Sequence, residues 1–302
     1  MFQLTPNGGS FTKSVVYSFK GSANNDGALP QGELIADATG NFYGVTSGGG
    51  AKGCGTVFKL TPGSGNSWTE SILYSFCTTA ADGVFPSGKL LLDGAGNLYG
   101  VAQLGGAIHG GTVYQLTPSS GTWSLTVLHS FPMAGHTAGS QPVGIIFDSA
   151  GNIDGVTLFG GTLSYNGAGI VFQLVQNAQG HWRQRVIHTF SINGTNLETP
   201  TGGLVLDGAG NLYMTMGRGG RGGGGGIFEL SPYGGGNFRG HGLYSFRGPL
   251  QPATCTAQAM SGAAAAAGSV ASFTNSAQDR HTGQPRGLQR CTGSMVLIRL
   301  AE

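Results

Sequence analysis

Asp26 and Asp82 are the residues of this sequence best placed for acid–base work. They occupy matching positions, each four residues before a proline, Pro30 and Pro86. The next two matching positions hold Ala138 and Asn196. Carboxylates on neighbouring units could cleave a glycosidic bond across a channel mouth, one protonating the leaving oxygen and the other attacking or activating water. Each Asp is also followed by Gly, and Asp-Gly is an ordinary turn dipeptide. The turn reading is therefore the expected one. The pattern Asp-x-x-Gly-Asn occurs four times, at Asp37–Asn41, Asp93–Asn97, Asp148–Asn152 and Asp207–Asn211. A calcium loop needs six or more oxygens from alternating ligands. Each of these sites offers one Asp and one Asn, so they too are expected to be turns. The seven histidines include no His-x-His or His-x-x-x-His pair to start a zinc site. No Gly-x-Ser-x-Gly elbow supports a serine hydrolase. We assign no catalytic, cofactor-binding or metal-binding residue and no cofactor.

Other side chains could bind. Trp68, Trp123 and Trp182 recur at one slot, with Phe11 and Phe238 near it. A repeated aromatic is most simply packing, although an exposed one could stack on a sugar ring. The segment Ser64–Trp68 is similar to the Asp-box turn of sialidases but lacks its Asp. Gly217–Gly222, with Arg218 and Arg221, has the look of an RNA-binding Arg-Gly tract. It falls where other units carry glycine loops, and a loop is the expectation. Asn193-Gly194-Thr195 matches a glycosylation sequon and is given no weight.

These residues need a frame, and the chain supplies one by repetition. Glycine fills 58 of 302 positions, against a usual level of about 7 %. It recurs at fixed offsets between short apolar runs, as turns between strands require. The Asp-x-x-Gly-Asn turns are spaced by 56, 55 and 59 residues. A second motif, aromatic-x-Leu-(Thr/Ser)-Pro, stands at Phe2–Pro6, Phe58–Pro62, Tyr114–Pro118 and Phe228–Pro232, with a degraded copy at Phe172–Val175. A third closes each unit: Val16–Phe19, Leu73–Phe76, Leu128–Phe131, Ile187–Phe190 and Leu243–Phe246. His129 and His188 fill the slot of Tyr17, Tyr74 and Tyr244, so packing is expected of them. In the first full unit the strands are predicted at Gly32–Asp37, Asn41–Thr46, Thr56–Leu60 and Trp68–Phe76. Four short antiparallel strands per long repeat point to an all-β propeller of four-stranded blades. The units are 1–20 (a half blade), 21–76, 77–131, 132–190 and 191–246. Residues 247–302 form an irregular, low-complexity tail.

The same hairpin bears on two of the four cysteines. If strands three and four pair about their turn, 60 faces 71, 58 faces 73 and 54 faces 77. Cys54 and Cys77 then lie within reach of a disulfide, which would fit an oxidising compartment. Two free thiols remain the alternative.

The strings Gly55–Pro62, Leu73–Phe76 and Asp93–Gly100 resemble the GloVer tandem repeat of bacterial choice-of-anchor proteins, notably from Verrucomicrobia and Acidobacteria. The resemblance spans residues 1–246 and is weakest over 135–190. It implies a secreted or surface-attached propeller with no assigned catalytic residues. The layout also resembles NHL-type blades, which implies that strand one lines the channel and strand four lies outermost. The sequence starts at strand three of a unit, and after Phe246 the expected strand-one motif does not come. In a closed ring the N-terminal half blade would be completed by C-terminal strands one and two, giving five blades. A fragment with an out-of-frame or divergent end, and a natural tail, both stay open.

Charge narrows the function. Residues 1–246 carry ten Lys/Arg and eleven Asp/Glu, so the repeat body offers no basic stripe for nucleic acid. No apolar run approaches the roughly 20 residues of a membrane span. We expect a monomeric, non-catalytic extracellular or cell-surface module binding a glycan or protein at the propeller face. The glycine-rich loops 104–111 and 159–169 would be its variable surface. A carbohydrate-active hydrolase or lyase, and a passive stalk presenting another domain, are the alternatives.

Overall fold

A computed structural model describes residues 1–133, 137–161, 167–192 and 196–246. The expected tail 247–302, with Cys255, Cys291 and His281, lies outside these residues. So do His136 and the sequon at 193–195.

The described chain is all β apart from two short 3-10 turns. It opens with a hairpin of β1 (Phe2–Asn7) and β2 (Ser10–Val15). Three four-stranded antiparallel sheets follow, each running in chain order. The first holds β3 (Gly27–Ala36), β4 (Phe42–Gly49), β5 (Thr56–Pro62) and β6 (Trp68–Ser75). The second holds β7 (Val84–Leu92), β8 (Leu98–Leu104), β9 (His109–Ser119) and β10 (Thr122–Pro132). The third holds β11 (Ser140–Phe147), β12 (Ile153–Phe159), β13 (Ile170–Gln176) and β14 (Trp182–Thr189). In the fourth, strand one is broken into β15 (Leu197–Pro200) and β16 (Val205–Leu206). Both pair with β17 (Leu212–Gly219), which continues into β18 (Gly226–Gly234) and β19 (Asn237–Ser245). This is propeller architecture, with one sheet per sequence repeat.

Two expectations need correction. Strand one of the first sheet begins at Gly27 rather than Gly32, because β4 runs on to Gly49 and keeps Gly27 paired. In the β5–β6 hairpin Leu60 faces Glu70 and Phe58 faces Ile72, one residue off the expected register. A bulge then inserts Leu73, so that Val57 faces Tyr74. The extra residue restores the expected register beyond it. Cys54 and Cys77 come together as a disulfide with Cα atoms 5.9 Å apart.

The core lies between the sheets, because both faces of each blade are apolar. One cluster joins Val45, Val57 and Phe76 of the first unit and its following connector to Leu98, Tyr114 and Leu116 of the second. Equivalent clusters join the second sheet to the third and the third to the fourth. The closing phenylalanine of each unit plugs the next sheet. Phe19 meets Phe58, Phe76 meets Tyr114, Phe131 meets Phe172 and Phe190 meets Phe228, all edge-on at 5.0–5.2 Å between ring centres. Edge-to-face pairs add about 0.5–1.5 kcal/mol each beyond their buried area.

In the first three sheets strand one packs on strand one of the neighbouring sheet. There the backbones nearly touch. A Cβ on Gly88 would lie 2.6 Å from the Val143 carbonyl oxygen, and one on Gly144 would lie 3.1 Å from the Gly203 Cα. Gly88 also has φ +70°. Both its conformation and its space demand glycine.

Candidate functional site

The four Asp-x-x-Gly-Asn segments fold as one hydrogen-bonded turn, repeated. At Asp93, Oδ1 accepts from the amides of Ala95 and Asn97, and Oδ2 accepts from Asn97 Nδ2 and the Tyr99 hydroxyl at 2.7–3.0 Å. Asp37 and Asp207 do the same with Tyr43 and Tyr213. Partial burial works against ionisation there, but these donors outweigh it and hold all three carboxyls below the usual range. Their acceptor sites are spent on the turn.

Asp26 and Asp82 lie on the connectors that lead from one blade to the next. Both are buried. Asp26 accepts from the Tyr17 hydroxyl at 3.0 Å and from the amides of Lys20 and Gly27. Asp82 accepts at Oδ2 from the Tyr74 hydroxyl at 2.8 Å, from Thr78 Oγ1 and from two amides, while its buried Oδ1 has no hydrogen-bond partner among the described residues. Each is a lock between a closing tyrosine and the connector after it. The two locks lie at successive blade boundaries, each with its own set of donors. Where the connector lacks the acid, at Ala138 and Asn196, the closing tyrosine is replaced by His129 or His188. Burial lowers both imidazoles, His129 to about 4.

At the boundary of the third and fourth sheets lies a cleft of about 360 Å³. His188, Ser191, Leu197, Phe228, His241 and Ser245 line it. Gly240 and Gly242 stand where β6 carries Glu70 and Ile72, and so leave the space empty. His241 pairs with Glu229 at 3.3 Å. The glycine loops between strands two and three pack against the connectors on the same rim. The Gly50 amide donates to Asp26 O at 2.7 Å. A second hollow, of about 370 Å³, lies between Cys77–Val84 and Gly105–Gly106. Among the described residues no group of three or more His, Cys, Asp or Glu converges to hold a metal ion. No described helix is long and apolar enough to cross a membrane.

Residues 1–196 match the model of the Gloeobacter/Verrucomicrobia repeat. The chain belongs to this repeat family. No curated protein matches its sequence. Its structure is similar to a protein of unknown function from Dyadobacter fermentans (14% identity, TM-score 0.46, covering 78% of this chain and 72% of that one). It is also similar to an ulvan lyase of a new polysaccharide lyase family (12%, 0.45, 70% and 56%). A third is the endo-arabinase of Bacteroides thetaiotaomicron (15%, 0.39, 76% and 85%). The chain thus spans 56% of the length of the ulvan lyase.

Within the Gloeobacter/Verrucomicrobia repeats of this chain, two carboxyls escaped sequence reasoning. Asp154 stands where the other units have Tyr43, Tyr99 and Tyr213. It is 2% exposed. Gln173 Nε2 donates to it at 2.9 Å and to Asp148 at 3.2 Å, while Arg185 donates to Gln173 Oε1 and to Gly236 O of the fourth sheet. Burial, reinforced by the Asp148 charge, pushes the Asp154 carboxyl up to about 7 against the pull of Gln173 and Arg185. Glu70 reaches toward the Tyr17–Asp26 lock. Burial and the Asp26 charge raise it to about 7, and its buried Oε1 has no hydrogen-bond partner among the described residues. Reading the repeats column by column exposes the Asp154 exchange; nothing in the sequence signals the burial of Glu70.

Of the aromatic candidates the three tryptophans and Phe238 pack, whereas Phe11 is exposed. Trp68 is half-buried against Phe42, Trp123 and Trp182 flank the inter-sheet clusters, and Phe238 does so in the fourth sheet. Arg218 and Arg221 are exposed on and beside the loop between β17 and β18.

Proposed function

We propose that this chain is an exported, non-catalytic propeller module that binds its ligand without transforming it. One observation carries the reading: the repeat carboxylates best suited to chemistry are occupied as acceptors in turns and blade locks. A carboxylate that already accepts from backbone and tyrosine donors is a weakened base and nucleophile, although Asp82 keeps one oxygen, Oδ1, without a partner among the described residues. The Cys54–Cys77 disulfide supports an oxidising compartment. The glycine-loop rim, with its cleft beside His188, is the surface on which a glycan or a protein would be held.

The competing enzyme reading draws on Glu70. A carboxyl raised to about 7 beside a second carboxylate is the arrangement from which a general acid is made. A glycan array probed with the whole chain, followed by analysis of the bound sugars, separates the two. The binding reading expects saturable retention and unaltered sugar. New reducing ends or unsaturated products that vanish in Glu70→Gln would overturn it. Recovery of the chain from producing cells with both thiols free in the cytoplasm would overturn the export.

A further inference from the structure

The second hollow, between Cys77–Val84 and Gly105–Gly106, is a seam that other units close. In the first unit the connector and the glycine loop are stitched together. The Gly50 amide donates to Asp26 O at 2.7 Å, and the Gly27 amide donates to Asp26 Oδ1 at 2.6 Å. The fourth unit keeps the first stitch, from the Gly220 amide to Asn196 O at 2.9 Å. Gly106 holds the matching place in the second unit. Gly50, Gly106 and Gly220 each stand four residues after the strand-two partner of the strand-one proline: Thr46, Ala102 and Met216. Yet the Gly106 amide donates to no acceptor among the described residues, and the Asp82 carbonyl accepts from Thr112 Oγ1 at 3.4 Å instead. Asp82 Oδ1 is likewise without a partner among them. The connector here is one residue shorter, with six steps from Phe76 to Asp82 against seven from Phe19 to Asp26.

The two walls of the hollow thus carry an unused acceptor, Asp82 Oδ1, and an unused donor, the Gly106 amide. One hydroxyl oxygen satisfies both, since it donates and accepts at a single atom. An ammonium would leave the amide unpaired, and a carboxylate would meet the charge of Asp82. The hollow measures about 370 Å³. That is far more than the roughly 30 Å³ share of one water, and it falls among small-molecule sites of about 300–1,000 Å³. Phe85 follows Val84 of the lining and is 44% exposed, a flat apolar ring beside polar groups. The connector is tied at Cys77 by the disulfide and at Phe85 by its amide, which donates to Cys54 O at 3.1 Å. Between these ties Thr78–Ala81 are exposed and small, so they can part to admit a hydroxyl to the buried oxygen.

We propose that this hollow is a subsite for a neutral sugar residue, with one hydroxyl bridging Asp82 Oδ1 and the Gly106 amide and the apolar face of the ring on Phe85. The subsite rests on the glycan-binding reading above and deepens it. It places the sugar at the entry to the second sheet rather than in the cleft beside His188, and it favours neutral sugars over uronates.

The test is saturation-transfer NMR on the whole chain with neutral hexoses, pentoses and deoxyhexoses, and with glucuronate. At least one neutral sugar should receive saturation, with glucuronate at least about tenfold weaker. Ala80→Trp, at an exposed position in the lining, should abolish the signal by filling the space. Ser191→Trp, which fills the cleft beside His188, should leave it. Phe85→Ala should weaken binding about three- to tenfold. In Asp82→Asn, which keeps an oxygen for Tyr74, the bias against glucuronate should disappear. A signal unchanged in Ala80→Trp, or lost in Ser191→Trp, overturns the subsite and leaves the glycan reading standing. Glucuronate bound as well as the neutral sugars also overturns it. So does saturation of no sugar by the folded chain, and the glycan array then decides the wider reading separately.

Discussion

Asp154 should make the third blade sensitive to pH, and Asp154→Asn should remove that sensitivity. Released by unfolding, the carboxyl titrates near its ordinary 3.8; folded, it titrates near 7. Between those values the native chain holds a proton that the unfolded chain has shed. The contribution to stability is thus complete below about pH 3.8 and is lost as pH rises through 7. A gap of about three units at about 1.4 kcal/mol each makes the loss about 4 kcal/mol. Asp37, Asp93 and Asp207 have the opposite sign, and their window lies below the ordinary carboxylate value. Glu70 shares the sign and the window but is present in both chains and cancels in their difference. Asparagine keeps an oxygen for Gln173 and cannot ionise. Urea unfolding followed by tryptophan fluorescence from about pH 4.5 to 8 should show the variant gaining about 3–4 kcal/mol on the parent across that range. Curves that stay parallel within about 1 kcal/mol would refute the assignment of a buried, protonated Asp154.

Three further outcomes follow from the repeat geometry. Asp93→Ala strips four donors of their acceptor and should cost about 2–4 kcal/mol in denaturant unfolding. Gly88→Ala, with φ +70° and a carbonyl in the way, should cost about 2 kcal/mol or more, while Gly94→Ala, with open space around it, should stay within about 0.5 kcal/mol. Cys54→Ser with Cys77→Ser should lower stability by about 3 kcal/mol, the chain-entropy value for a loop of this size, and reduction of the parent should match it.

Much of the fold is legible because the chain states it several times. One reading of strand three is weak, but Phe58, Tyr114 and Phe228 in register are not. The turns were legible for the same reason, as was the packing of His129 and His188. What stayed hidden depends on neighbours that sequence does not place. The Leu73 bulge changes the β5–β6 register without any Gly or Pro to announce it. Asp26 and Asp82 look free in sequence because their tyrosine partners lie eight or nine residues upstream, on the preceding unit. The cleft beside His188 arises from what Gly240 and Gly242 omit, and it becomes visible only when the side chains they replace have known positions.

The disulfide has a mechanical meaning. Cys54 lies just ahead of β5, and Cys77 lies where the chain leaves β6 for the next blade. A pull along the polypeptide would reach this hairpin through a covalent shortcut. The 23 intervening steps, about 80 Å when drawn straight, could not extend until the bond was broken. The matching positions in the next two sheets are Gly110 with Pro132 and Ala168 with Ser191, so those hairpins carry no such clip. Under tension the later blades would peel first, each giving up its full length, while the first would resist and yield less. Reducing agent would act as a release catch on that one blade.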